Sequence, residues 1–215
     1  MGRGIIVVFL TLVLLVSGVL AGCGGPAKST AEEHFDQGNK LAEQGRYDEV
    51  LEEYTKSIEL DPNLAMTYNN RGYTYVILGQ LDQAIEDFDK AIRLNPELVL
   101  AYVNRGNTYG MLGQLERAIE NFDEVIRLNP DHAMAYYNRG TAYDELGQFG
   151  RAIDDFDEAI RLNPGFAEAY FNRGLAYKVQ GKKSEAVADF EKFISLTDNS
   201  QEIESARQHI EELSK

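Results

Sequence analysis

The sequence predicts an all-α fold: a solenoid of five stacked helix–turn–helix units closed by a C-terminal helix. Three observations carry this. Gly38, Gly72, Gly106, Gly140 and Gly174 recur every 34 residues, as do Gly45, Gly79, Gly113, Gly147 and Gly181, and Pro62, Pro96, Pro130 and Pro164. Residues 65–98 and 99–132 are identical at 20 of 34 positions. Within each period two apolar stripes with helical spacing flank one of the glycines. A fixed period of this length marks a repeat architecture, in which each unit buries its apolar face only against its neighbours.

The elements follow in order. Residues 1–22 read as a leader. Arg3 is its only charge, residues 5–16 are almost wholly apolar, and small residues precede Cys23. That pattern is a secretory signal. Leu20-Ala21-Gly22-Cys23 resembles the lipobox of bacterial lipoproteins. The resemblance implies cleavage before Cys23 and a diacylglyceryl group on its sulfur. A retained transmembrane helix is the rival reading. The lone cysteine at the lipobox position, with no basic cluster after the run, favours the lipoprotein. Residues 23–30 are then the lipidated cysteine and a tether. Its six residues after the cysteine reach at most ~20 Å. The expected location is the extracytoplasmic face of a cell membrane or outer membrane.

Five units follow: 31–64, 65–98, 99–132, 133–166 and 167–200. The fourth shows the grammar. Tyr136, Gly140, Tyr143 and Leu146 form one helical stripe. Gly147 comes next, where a helix end favours a left-handed residue. Phe149, Ala152, Ile153, Phe156, Ala159 and Ile160 form a second stripe. Asn163-Pro164 is expected to end that helix and start the next. Gly140 is expected to face Ala152, Gly106 to face Ala118 and Gly72 to face Ala84. A tight crossing there offsets the cost of a helix-interior glycine, roughly 1 kcal/mol. The recurring tyrosines and phenylalanines are expected to fill the core.

The ends carry their own signals. Thr30 and Glu33 have the spacing of a capping box for the first helix. After the fifth unit, Ile203, Ala206, Ile210 and Leu213 form an apolar stripe over residues 201–215, with Asn199 and Glu202 at its start. This last helix is expected to cover the open end of the stack.

These residues resemble the tetratricopeptide repeat family, whose signature reads in the third unit as Tyr102, Gly106, Tyr109, Ala118, Phe122, Val125 and Pro130. Val125 departs from the family's small residue. The first unit departs most, with His34, Leu41 and Val50 at signature positions, and the fifth has Asp198 for the proline. Atypical terminal repeats act as caps. The resemblance implies a right-handed superhelix whose first helices line a concave groove. By analogy the groove takes Met66, Asn70 and Tyr73 from the second unit, and Leu100, Asn104 and Asn107 from the third. Met134, Tyr137 and Asn138 come from the fourth, and Phe171 and Asn172 from the fifth. The same analogy adds Asn69, Val76, Ile77, Val103, Gly110, Met111, Thr141, Asp144, Glu145, Glu168, Leu175, Lys178 and Val179. Asn70, Asn104, Asn138 and Asn172 resemble the asparagine ladder with which some members grip an extended peptide backbone. An amide has both donor and acceptor for such a grip. Hydrogen bonding between adjacent helices is an equal reading of the same four residues. Asn39 and Asn70 match two polar positions of the family's carboxylate clamp. Phe35, Leu100 and Asn104 stand where that clamp needs cations, which argues against it.

Charge narrows the partners. With 35 acidic and 21 basic residues the net charge is −14, so nucleic acid is not an expected partner. His34, His132 and His209 lie in different units, none beside a second ligand at zinc spacing. No phosphate-binding glycine loop is present, since the glycines follow the repeat. The acidic run Asp154-Asp155 with Asp157-Glu158 is expected to be a solvated outer face. No enzymatic activity, metal or cofactor is expected. Arg71, Arg105, Arg139 and Arg173 recur before the key glycine. Asp89, Asp123, Asp157 and Glu191 recur after the second-helix aromatic. A ladder of Asp89 to Arg105, Asp123 to Arg139 and Asp157 to Arg173 is expected between consecutive units.

The functional expectation is a membrane-anchored, extracytoplasmic adaptor that binds an extended protein or peptide segment in its groove. The alternative is a structural scaffold, acting by self-association as a homo-oligomer or by docking folded partners on its outer face.

Overall fold

The computed structural model describes residues 29–215. Cys23, the leader and most of the tether lie outside the described residues. The fold is an all-α helical repeat solenoid. Two compact units divide the chain, one ending at Pro62 and one beginning at Asn63. The first holds α1 (Thr30–Glu43) and α2 (Tyr47–Leu60). The second holds four helix pairs and a last helix. The pairs are α3 (Ala65–Ile77) with α4 (Leu81–Leu94), α5 (Val99–Met111) with α6 (Leu115–Leu128), α7 (Ala133–Glu145) with α8 (Phe149–Leu162), and α9 (Ala167–Val179) with α10 (Lys183–Ile194). The last is α11 (Ser200–Leu213). Among the described residues no helix is long and apolar enough to cross a membrane.

Each pair turns on its glycine. Gly147 has φ +72. Its N–H donates to the Asp144 carbonyl at 2.8 Å, and the Gln148 N–H donates to the Tyr143 carbonyl at 2.8 Å. These two bonds satisfy carbonyls that the helix end leaves open. Gly45, Gly79, Gly113 and Gly181 share this conformation.

Three local expectations are corrected. The helix-interior glycines face a phenylalanine ring more than an alanine. A Cβ on Gly140 would sit 2.9 Å from the Phe156 ring, and one on Gly106 would sit 3.0 Å from Phe122. At Gly72 the alanine is among the nearest neighbours, through the Ala84 carbonyl at 3.1 Å. The glycine makes room for the large buried ring. Asn163-Pro164 ends α8 but does not start α9. The Asn163 side-chain oxygen accepts from the Gly165 N–H at 3.1 Å, and the helix begins only at Ala167. Asn95 and Asn129 make the same turn to Glu97 and Asp131. The first capping box is one residue earlier than expected: Ser29 caps α1 and pairs with Glu32. Ser29 has extended backbone, ψ 154, whereas Thr30 is already helical.

In the first unit, Leu41, Val50 and Tyr54 form the core, joined by Phe35 and Ala42. In the second, Phe88, Phe122, Phe156 and Phe190 are buried in successive pairs. The chain end is closed as expected. Ala206, Ile210 and Leu213 of α11 pack with Phe190 and Phe193 of α10. Asn199 caps α11, its side chain accepting from the Gln201 and Glu202 N–H groups.

Arginines bind the pairs to one another as the sequence predicts. Arg105 donates to Asp89, Arg139 to Asp123 and Arg173 to Asp157, each at 2.5 Å. A second carboxylate completes most of these clamps. Arg139 meets Asp155 through two bonds of 2.8 and 2.6 Å, and Arg173 meets Asp189 likewise. Arg71 pairs with Asp87 through two bonds of 2.8 Å. In the third pair Asn121 replaces the acid and accepts from Arg105 at 2.8 Å. The hydrogen bonds that Arg139 donates to Asp155 do most to hold its guanidinium charged, well above its ordinary pKa, against the opposing effect of burial. Asp155 is therefore not part of a solvated outer face: it is 5% exposed. Asp154 and Asp157 are exposed.

Candidate functional site

The first helices α3, α5, α7 and α9 lie side by side in the second unit. Their inward positions are built from the same register in each repeat. Asparagines join neighbouring helices there. The Asn104 amide donates to Asn69 Oδ1 at 3.0 Å, and Asn69 donates to Asn70 Oδ1 at 3.1 Å. Asn138 donates to Asn107 Oδ1 at 3.0 Å, and Asn172 donates to the Tyr137 hydroxyl at 3.0 Å. One N–H of Asn104, Asn138 and Asn172 is thus spent on the preceding first helix. An amide has a second N–H and an oxygen with two lone pairs, so this bond does not exhaust it.

The other residues expected in the groove divide by exposure. Met66 is exposed, while Tyr73, Leu100 and Met134 are half-buried. Tyr137 packs on Phe166 and Phe156, with centroids at 4.6 and 5.9 Å. Desolvation pushes its hydroxyl up to about 12, so it stays protonated. Phe171 turns to the core under α11, 4.9 Å from Phe193, 5.5 Å from Phe190 and 5.9 Å from the His209 ring. These two aromatics are held chiefly by the protein itself.

What the surface does expose is aliphatic. Six large hydrophobic side chains are exposed among the described residues: Leu60, Met66, Ile77, Met111, Leu112 and Val179. Ile77, Met111 and Val179 share one register, 34 residues apart or twice that, and Glu145 holds it in α7. With Met66 they make four of the six, and all four lie on first helices. Charge on the same surface is sparse. Asp144 and Glu145 end α7, and burial pushes both carboxyls up, with Asp144 adding to the effect on Glu145. Lys178 of α9 bonds Glu212 at 2.5 Å and His209 Nδ1 at 3.0 Å, both on α11. Desolvation and Lys178 lower the His209 pKa, which keeps the ring neutral and able to accept. Among the described residues no cluster of histidine and acidic side chains has the makings of a metal site.

A family profile described as TPR repeat matches residues 38–79 and 72–113, and one described as tetratricopeptide repeat matches 103–165 and 138–200. A solved structure of MamA protein is 33% identical, with TM-score 0.72, over 77% of this chain and 91% of that one. The chain belongs to the tetratricopeptide repeat family. The same fold recurs at lower identity. MamA 41-end from Desulfovibrio magneticus RS-1 is 22% identical with TM-score 0.75, over 80% of this chain and 99% of that one. YrrB, described as a TPR protein with an unusual peptide-binding site, is 24% identical with TM-score 0.71, over 83% and 92%. No curated protein matches the sequence. Both family profiles describe the repeat itself, and neither describes a catalytic fold. Tetratricopeptide repeats are interaction scaffolds, so protein binding is the functional class this fold supports.

Proposed function

We propose that this chain is a membrane-anchored, extracytoplasmic adaptor that holds an extended protein segment across its first helices. The observation that carries the binding surface is the placement of Met66, Ile77, Met111 and Val179. A strongly charged chain keeps these side chains exposed on one side of its repeats. Exposed apolar side chains repeated at one register support an interaction site, and methionine adapts to varied partners. The remaining amide capacity of Asn104 and Asn138 supplies backbone contacts beside that apolar line. The anchor rests on Leu20-Ala21-Gly22-Cys23. Acyl chains there contribute about 0.8 kcal/mol per buried methylene. The reading needs no catalytic or cofactor chemistry.

A titration of a random nonapeptide library against the full chain tests the surface. Met111→Ser with Val179→Ser should weaken binding at least tenfold. Glu120→Ala with Asp154→Ala, on exposed positions of second helices, should leave it unchanged. The reverse pattern would favour a scaffold that docks folded partners on its outer face. Metabolic labelling with a fatty acid tests the anchor: the wild type should take up label and Cys23→Ser should not.

A further inference from the structure

The apolar register line is interrupted once, and that interruption has a definite chemistry. Glu145 of α7 stands between Met111 of α5 and Val179 of α9, the latter two 46% and 63% exposed. Asp144 lies beside it, half-buried, and burial alone acts on its carboxyl: no cation and no hydrogen-bond donor offsets it. The neighbouring helices bring no counter-charge to this place. At the register of Asp144, α5 carries Gly110, and α9 carries Lys178, whose ammonium is already taken by Glu212 and His209 of α11. Elsewhere in this unit four other acids, Asp87, Asp89, Asp155 and Asp189, each have an arginine. Two carboxylates therefore sit between the exposed Met111 and Val179 with no cation of the chain to offset them.

We propose that the segment bound across α5, α7 and α9 presents a lysine or arginine to Asp144 and Glu145, between two apolar side chains that meet Met111 and Val179. This rests on the binding surface proposed above and names its occupant. Geometry sets the spacing. Packed helices lie about 8–10 Å apart, and a chain in the polyproline II conformation rises about 3.1 Å per residue and returns to the same face every third residue. Side chains reaching consecutive helices are then about three residues apart. The occupant reads apolar, two spacers, basic, two spacers, apolar. A cation there meets a site that is partly desolvated, where a charge-assisted hydrogen bond is stronger than in water.

The test uses labelled synthetic peptides and the full chain, with binding read by fluorescence anisotropy. The first probe has the core Leu-Ser-Ser-Lys-Ser-Ser-Leu. Its comparators replace the lysine by norleucine or move it outside the leucines. The lysine probe should bind about ten- to 150-fold tighter than the norleucine probe, the range of a hydrogen bond to a charged group. Asp144→Asn with Glu145→Gln should erase that difference by weakening the lysine probe. Added salt should weaken only the lysine probe. If lysine and norleucine probes bind equally, or the displaced lysine binds as well as the central one, the inference is overturned and the binding surface stands. If no probe binds, or binding survives Met111→Ser with Val179→Ser, the surface reading fails and the inference with it.

Discussion

Two places on the same helix, five residues apart, behave in opposite ways. At Arg139 the repeat is nearly invariant: Arg71, Arg105 and Arg173 hold the same register, and each has a partner sixteen residues later in Asp87, Asn121, Asp155 or Asp189. At Asp144 the repeat dissolves: the same register holds Val76, Gly110 and Lys178. The clamp residues meet other parts of the protein, so they must fit a geometry that returns every 34 residues. The inward ends of the first helices meet no repeated partner and are free to differ. Repetition within the chain marks what holds the stack together, and its loss marks what the surface is for.

Removing a clamp sharpens this contrast most. Arg139→Ala strands Asp155, 5% exposed, without its cation, and breaking such a pair costs about 3–5 kcal/mol. Denaturant unfolding should show it. Arg105→Ala strands the neutral amide of Asn121 and the more exposed acid Asp89, and should cost less, about 1–3 kcal/mol. Gly140→Leu comes next. Its Cβ alone meets Phe156 at 2.9 Å, and overpacking costs about 1–3 kcal/mol. Thermal melts should fall for Gly140→Leu and hardly move for Gly150→Leu, where a Cβ meets nothing within 4 Å.

Smaller effects come from exposed or inward acids. Asp144→Asn should stabilise the protein at neutral pH, because burial disfavours the charged form. The sign follows from linkage. A carboxyl whose pKa is raised on folding binds protons more readily in the native state, so stability falls as pH rises from the ordinary carboxyl value through the raised one. The variant's advantage should be full above that window and vanish below it. Urea melts at several pH values measure it. Asp123→Ala removes an acid that is 51% exposed and should cost under about 1 kcal/mol. A large loss there would contradict the view that the buried half of each clamp dominates.

Much of this was legible in the sequence because it recurs. The 34-residue period carries the helix pairs, and the Asp89–Arg105, Asp123–Arg139 and Asp157–Arg173 bonds follow from recurrent charge. The buried acids escaped because Asp154-Asp155 with Asp157-Glu158 looks like a polar run. The available signal was that Asp87, Asp155 and Asp189 each immediately precede a buried phenylalanine, which places them on the inner edge of their helix. The glycine contact escaped because stripes give faces and not ring orientations. Asn70, Asn104, Asn138 and Asn172 could be read two ways, since one side chain can bond a neighbour and a ligand at once. Tyr137 and Phe171 look like groove anchors by register, yet Phe166 and α11 draw them inward. That depends on residues 29 and 38 positions further along the chain, beyond any local pattern.

The most direct measurement of the central claim is hydrogen–deuterium exchange of the full chain, with and without the tightest peptide from the nonapeptide library. The account predicts added protection concentrated in α3, α5, α7 and α9, greatest around Met111, Glu145 and Val179. Protection confined to α4, α6, α8 and α10 would contradict it, because the bound segment would then lie on the side of the molecule that the repeat keeps constant.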